Sequence, residues 1–128
     1  FHFCVDLQGG PCIKKRLSGC GAGVEYIAVT PDGEIFPCHQ FVGRPGYCMG
    51  SVITGEIDES IREKFAAAHV LNKEKCASCW ARLYCTGGCA ANAQAFHDDL
   101  TKPYEMECEM EKKRLECAIA VQAAELEG

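Results

Sequence analysis

The sequence lacks the features that point to a membrane or to a nucleic acid. No apolar run approaches the roughly 18 residues of a membrane-spanning helix, and the basic and apolar segments of a secretory signal peptide are absent from its start. The formal net charge of −5 leaves no positive excess for a nucleic acid or an anionic membrane surface. We therefore expect no nucleic-acid or membrane partner, and we expect a cytoplasmic protein.

Cysteine, by contrast, is abundant, because the chain of 128 residues contains eleven. An odd number leaves at least one thiol outside any disulfide framework. Four of the cysteines crowd into CASCWARLYCTGGC, residues 76–89. Disulfide frameworks usually spread their cysteines to close longer loops, whereas thiols two residues apart converge on one centre in metal sites. The crowding therefore favours a metal centre over disulfides.

The spacing within this stretch favours an iron–sulfur cluster over zinc. A zinc ribbon has two CxxC pairs well apart, and here only Cys76 and Cys79 form one, since three residues separate Cys85 from Cys89. In ferredoxin-type sequences three closely spaced cysteines bind one cluster and the next cysteine binds another. The Gly-Gly pair before Cys89 also allows backbone N–H groups to approach cluster sulfurs. A structural zinc-binding module and a ferredoxin-like electron-transfer module remain as alternatives.

A β-hairpin is predicted ahead of this stretch. Two segments of strand composition, Val24–Thr30 and Glu34–Phe36, flank a Pro-Asp-Gly turn with glycine at a left-handed position. In the register that this turn sets, Cys38 lies opposite Tyr26, and Cys20 just precedes the first strand. We expect the hairpin to bring Cys20 and Cys38 together, either as half of a metal site or as a structural pair of buried cysteines.

The remaining elements are predicted from caps and breaks. Turn and strand signals at 46–57 predict a second short hairpin, and Asp58 or Ser60 caps the helix that follows. Another helix is predicted at Cys89–His97, and Pro103 opens a long C-terminal helix. The predicted fold class is therefore α+β: a small cysteine-rich domain with short β-hairpins, a cluster-binding knuckle at the crowded cysteines and a long C-terminal helix.

Two cysteines on the C-terminal helix have different expected roles. Cys108, in its first turns, is placed to reach back to the knuckle. Cys117, about two and a half turns further on, is expected to be a buried small hydrophobic residue.

Residues 1–19, at the other end of the chain, are expected to be irregular.

The spacing of seven cysteines resembles that of the SPASM domain, the C-terminal extension of many radical SAM enzymes. The pattern reads Cys20, twelve residues, Gly33, four residues, Cys38, a gap, C-x2-C-x5-C-x3-C over 76–89, a gap and Cys108. The stretches EYIAVTPDGEIFPCHQFVG, KCASCWARLYCTGGCAANA and ECEMEKKRLECAIA are similar to the radical SAM maturases of six-cysteine peptides, the SCIFF class. Those enzymes join a substrate cysteine sulfur to a carbon of another residue.

This resemblance implies two auxiliary [4Fe–4S] clusters and a division of the chain. Cluster I would be held by Cys20, Cys38 and Cys89, and cluster II by Cys76, Cys79, Cys85 and Cys108. Residues 20–117 would form the SPASM domain, with 1–19 as a linker from a missing radical SAM barrel and 118–128 as the end of the C-terminal helix.

The ligands of cluster I are one short of four. In sulfatase-maturing relatives a further cysteine lies six residues after the first and completes this cluster, and here that position is Tyr26. Either one iron is open to a substrate thiolate, or another cysteine of the chain binds it. The candidates for that cysteine are Cys4, Cys12 and Cys48.

Side chains beside the ligands are candidates for tuning a cluster. His39 and Gln40 follow a ligand cysteine and could act on it from outside the ligand set. Trp80 and Tyr84, inside the knuckle, are expected to shield a cluster from water. Tyr26 occupies the position of the missing ligand.

The reductive SAM-cleaving site itself is missing. It requires CxxxCxxC, and Asn92 stands where a third cysteine would follow Cys85 and Cys89. A SAM-binding barrel does not fit in this length. We therefore expect no catalytic residue in this chain, with SAM and a third [4Fe–4S] cluster only in a barrel domain of the same enzyme. The expected partners are that barrel and a cysteine-rich precursor peptide, whose substrate thiolate this domain would bind while accepting an electron.

Overall fold

A four-stranded antiparallel sheet and six α-helices make up the fold, which a computed structural model describes for residues 5–10 and 12–127. The strands, in both chain and sheet order, are β1 Ala28–Val29, β2 Glu34–Phe36, β3 Gly50–Ser51 and β4 Glu56–Ile57. The helices are α1 Ile13–Ser18, α2 Glu59–Ala67, α3 Glu74–Ala77, α4 Arg82–Cys85, α5 Ala90–His97 and α6 Glu105–Glu127. The predicted α+β class with a long C-terminal helix is confirmed.

The first hairpin has the predicted register. Ala28 pairs with Phe36, and Gly33 takes the left-handed φ of +86° that the turn requires. The predicted strand over Val24–Thr30, however, is wrong at its start. The Gly21 carbonyl accepts hydrogen bonds from the N–H groups of residues 24, 25 and 26, so a tight local turn replaces the ladder there. Tyr26 consequently lies in this turn and not in a strand opposite Cys38.

The main hydrophobic core lies between the sheet, α2 and a 3₁₀ turn at His39–Phe41. Phe41 is fully buried and meets the ring of Phe65 edge-on, with centroids 5.2 Å apart. Asp58 caps α2 by accepting the N–H of Ser60 at 2.9 Å, so the cap is Asp58 rather than Ser60. Cys38 belongs to this core, which therefore fixes its position.

The two ends of the described chain differ from the sequence-based expectations. A short helix, α1, forms where residues 1–19 were expected to be irregular. On α6, Leu115 is 1% exposed, but the helix continues past the core and leaves Ile119 and Leu126 49% and 77% exposed. Cys117 is exposed for the same reason, so the prediction that it is buried is wrong.

None of the helices in the described residues combines the length and apolarity needed to cross a membrane.

Candidate metal centre

Four of the predicted ligands line one cavity of about 220 Å³, formed where α3, α4 and α6 meet. They are Cys76, Cys79, Cys85 and Cys108. The N–H of Cys79 donates to the carbonyl of Cys76 at 3.0 Å, which closes the CxxC turn. The αL residue Thr86 ends α4 directly after Cys85 and turns the chain into the Gly-Gly pair. The structure thus gathers the knuckle and the distant helix α6 around a common space.

Burial dominates the electrostatics of this cavity. It raises the pKa of the Cys76, Cys85 and Cys108 thiols above that of a free cysteine, and neighbouring thiols of the cavity contribute in the same direction at Cys76 and Cys108. The N–H groups of Gly87 and Gly88 hydrogen-bond the Cys85 sulfur and oppose the rise in its pKa. A metal bound in the cavity would act in the opposite direction, since metal binding deprotonates a coordinating thiol.

A second set forms around Cys38. Burial raises the pKa of the Cys38 thiol, and the backbone N–H groups of Gln40 and Phe41 hydrogen-bond its sulfur and oppose that rise. Cys89 is partly buried and packs against the core that contains Cys38, and the charges of Cys89 and Cys20 also raise the pKa of Cys38. Cys89 reaches this core from the N-cap of α5, and the prediction that the hairpin brings Cys20 and Cys38 together stays a prediction.

The two sets differ in their access to solvent. In the second set Cys20 is exposed while Cys38 is buried and Cys89 is half-buried, so one side of the set faces solvent. In the cavity set, Cys76 is buried and the other three are half-buried. A molecule arriving from outside therefore meets the set around Cys38 more easily than the cavity.

The cysteines share a cavity without approaching one another as ligands of a single ion do. All ten cysteines in residues 5–10 and 12–127 are free of disulfides. Across the same residues, no group of three or more His, Cys, Asp or Glu side chains is gathered closely enough to hold a single metal ion. The assignment of the seven cysteines as cluster ligands stays a prediction, which the cavity and the grouping of the thiols fit.

Two charged side chains that sequence reasoning missed lie between the sets. The Glu107 carboxylate accepts the N–H of Cys89 at 3.1 Å and the side-chain amide of Asn92 at 3.4 Å. Lys73 is only 3% exposed, and its Nζ donates to the Gly87 carbonyl at 2.7 Å. The position of Glu107 beside Cys108 was the only hint in the sequence, since both contacts depend on how α6 and the knuckle pack.

The side chains predicted to tune the clusters lie mostly at the surface. Tyr26 and Trp80 are 45% and 56% exposed, and Tyr84 is 38% exposed. Trp80 lies in the turn between α3 and α4, where the neighbouring Ala81 faces inward instead, at 1% exposure. The side chains of His39 and Gln40 are also exposed. Of this group, Gln40 contacts a predicted ligand, and it does so through its backbone N–H.

The candidates for a further ligand of the Cys38 set have no special placement. Cys12 precedes α1 and is exposed, as is Cys48, whose sulfur lies 3.6 Å from the Gly50 carbonyl oxygen. Cys4 lies outside the described residues. Neither Cys12 nor Cys48 is therefore identified as a fourth ligand of the set formed by Cys20, Cys38 and Cys89.

A comparison with known protein families finds a match for part of the chain. Residues 20–80 match the family model of SPASM, an iron–sulfur cluster-binding domain. The matched segment contains Cys20, Cys38, Cys76 and Cys79, and it ends before Cys85. Residues 20–80 are therefore similar to an iron–sulfur cluster-binding domain, and SPASM domains occur in radical SAM enzymes. No curated protein matches the chain.

Proposed function

We propose that this chain is the auxiliary-cluster part of a radical SAM maturase that forms thioether cross-links in a cysteine-rich peptide. The observation that carries the proposal is the gathering of Cys76, Cys79, Cys85 and Cys108 around one cavity in a chain whose residues 20–80 match an iron–sulfur cluster-binding family. When bound, [4Fe–4S] clusters would supply electron transfer and, at any iron without a protein thiolate, a soft site for a substrate thiolate.

The residues present fit such a group. Thiolates are the usual ligands of these clusters, and the cavity offers four of them. Backbone N–H groups already point at the Cys85 and Cys38 sulfurs, and such hydrogen bonds stabilise the thiolate form of a ligand. In this proposal the cavity set holds one cluster with four protein thiolates, and Cys20, Cys38 and Cys89 hold a second with three.

The substrate-binding role falls to the three-cysteine set. Cys20 leaves one side of that set open to solvent, so a cysteine of a peptide can approach it from there. Joining a substrate thiolate to a carbon radical forms a C–S bond and leaves one electron in excess, which needs an acceptor close by. Binding and orienting the substrate thiolate is therefore the task that we assign to this face of the chain.

A partner domain must cleave SAM in this proposal, and α6 carries an exposed surface suited to a partner. Met106, Met110 and Val121 are 59%, 67% and 59% exposed and line a groove of about 1,110 Å³ with residues 5–8. Exposed apolar patches of this kind are typical of interfaces. We propose that the radical SAM barrel of the same enzyme packs here.

The proposal is tested with anaerobically reconstituted chains in which single cysteines are replaced. Cys85→Ala and Cys89→Ala should each lose about half of the iron and acid-labile sulfide, because each removes a ligand of a different cluster. Cys117→Ala is the matched control, since Cys117 is exposed on α6, away from both sets, and its iron content should equal that of the wild type. Equal iron contents in all three variants would refute the ligand assignment.

The substrate-binding role has a separate test. A short cysteine-containing peptide, added to the reconstituted wild type, should change the electron paramagnetic resonance spectrum of one cluster, whereas its Cys→Ser analogue should not. Cys12→Ala and Cys48→Ala should keep both their iron content and this response. Loss of half the iron in either variant would identify a fourth protein ligand and contradict the open position.

A further inference from the structure

Lys73 is the one charged residue among the buried side chains of the described residues, at 3% exposure. A buried ammonium is costly unless it is paired or hydrogen-bonded. Its Nζ donates to the carbonyl oxygen of Gly87 at 2.7 Å. The lysine also lies at the start of α3, where its carbonyl accepts the N–H of Cys76 at 2.9 Å. Lys73 is therefore held against the knuckle by both its backbone and its side chain.

The peptide group that Lys73 contacts leads directly to a cysteine sulfur. The Gly87 carbonyl belongs to the same peptide unit as the N–H of Gly88, and that N–H hydrogen-bonds the Cys85 sulfur. Hydrogen bonds linked in this way polarise one another, so a cation at the carbonyl strengthens the donor at the other end. The chain from ammonium to carbonyl to amide to sulfur thus connects Lys73 with the four-cysteine cavity.

The backbone at Gly87 has a conformation that favours glycine. Its φ of +93° is in the region that favours glycine, and a Cβ atom there would lie 3.5 Å from both Cδ and Nζ of Lys73. A residue with a side chain would therefore strain the turn, although its Cβ would meet the lysine at an ordinary contact distance.

Burial and the neighbouring acidic groups act on the pKa of Lys73 in opposite directions. Burial lowers the pKa of Lys73, and the negative charges of Cys76, Cys85, Glu107 and Cys89 oppose that decrease. Cys76 and Cys85 belong to the cavity set and Cys89 to the other set. The lysine therefore lies near cysteines of both sets, and its hydrogen-bond chain leads to Cys85.

We infer that Lys73 is a positioning residue that raises the reduction potential of the cluster held by Cys76, Cys79, Cys85 and Cys108, acting through the Gly87–Gly88 peptide. The inference rests on the proposed function, since it requires a cluster in that cavity. A reduced cluster carries one more negative charge than an oxidised one. A buried cation and a polarised hydrogen bond to a ligand sulfur both stabilise the reduced form.

The test measures midpoint potentials in the Cys89→Ala background, where the cavity is the set that keeps all its ligands. Lys73→Met should shift the potential to more negative values, and Lys73→Arg, which keeps the charge, should stay near the parent. Lys75→Met is the matched control, because Lys75 also lines the cavity but is exposed and paired with Glu105 at 2.7 Å. Its shift should be smaller, since solvent screens its charge.

Iron and acid-labile sulfide, measured on the same samples, separate the possible failures. A parent chain without iron and sulfide would refute the proposed function and this inference with it. Full iron and sulfide, with Lys73→Met at the parent potential or shifted no more than Lys75→Met, would overturn the inference alone. If Lys73→Met does not retain its cluster, retention by Lys73→Arg supports the role of charge, whereas loss in both variants would assign Lys73 to packing and overturn the inference.

Discussion

The Glu107 carboxylate accepts the backbone N–H of Cys89, with N···O distances of 3.1 and 3.2 Å to its two oxygens. Cys89 is the N-cap of α5, and Glu107 directly precedes Cys108 on α6. A carboxylate at a helix N-terminus is favourable because it meets unpaired N–H groups and the positive end of the helix dipole. This contact joins the two sets of cysteines, since Cys89 belongs to one and Cys108 to the other.

Replacing Glu107 tests this connection. Glu107→Ala leaves the Cys89 N–H without its acceptor and should lower the free energy of unfolding by about 1–2 kcal/mol, measured by urea denaturation under anaerobic conditions. Glu109→Ala is the control, because Glu109 is exposed and pairs with Lys112 on the same helix. Equal effects of the two substitutions would show that the contact with Cys89 does not stabilise the fold.

Leu115 anchors the long helix α6. Its side chain is 1% exposed, so Leu115→Ala should leave a cavity and lower the free energy of unfolding by about 2–5 kcal/mol. Leu126→Ala, at a position that is 77% exposed on the same helix, should change it by less than about 0.5 kcal/mol. Similar losses in the two variants, measured by the same denaturation, would contradict the burial of Leu115.

The ion pairs between Glu25 and two lysines of α1 make the free energy of unfolding depend on pH in the acid range. Hydrogen bonds from Lys14 and then Lys15, at 2.5 and 2.6 Å, lower the pKa of Glu25 from 4.5 to about 2. A lowered pKa in the folded state means that this contribution to stability is present above pH 4.5 and is lost as the pH falls towards 2. Glu25→Gln should therefore flatten the decline in stability between those pH values. An unchanged slope in pH-dependent unfolding would contradict the pairing.

Thiol accessibility predicts an order of alkylation in the chain without clusters. Cys117 is exposed and should react early with a maleimide at neutral pH, together with the exposed Cys12, Cys20 and Cys48, whereas Cys76 and Cys38 are buried and should react slowly. Burial also raises the pKa of the Cys76 and Cys38 thiols, which leaves less of the reactive thiolate. Mass spectrometry of partly labelled chains gives the order. Labelling of Cys76 as fast as Cys117 would rule out the buried placement.

Local sequence signals were sufficient for the elements that position the cysteines. The Pro-Asp-Gly turn set the register that pairs Ala28 with Phe36, and the helix after the knuckle was correctly predicted to begin at the last of its cysteines. Turn geometry and spacing act within a few residues, so they can be inferred without the rest of the fold.

The parts that sequence reasoning missed depend on tertiary contacts. Strand composition at Val24–Ile27 was overridden by three amides that share the Gly21 carbonyl. Nothing near Lys73 in the sequence indicates that its ammonium is buried beneath the Gly-Gly turn, because the contact spans fourteen residues. The exposure of Cys117 likewise follows from the extension of α6 beyond its last buried residue.

The most direct test of the central claim is the content of iron, acid-labile sulfide and zinc in the anaerobically reconstituted wild-type chain. Two [4Fe–4S] clusters predict about eight irons and eight sulfides per chain and no stoichiometric zinc. One or two zinc ions without sulfide would contradict the account and leave a cysteine-rich structural module.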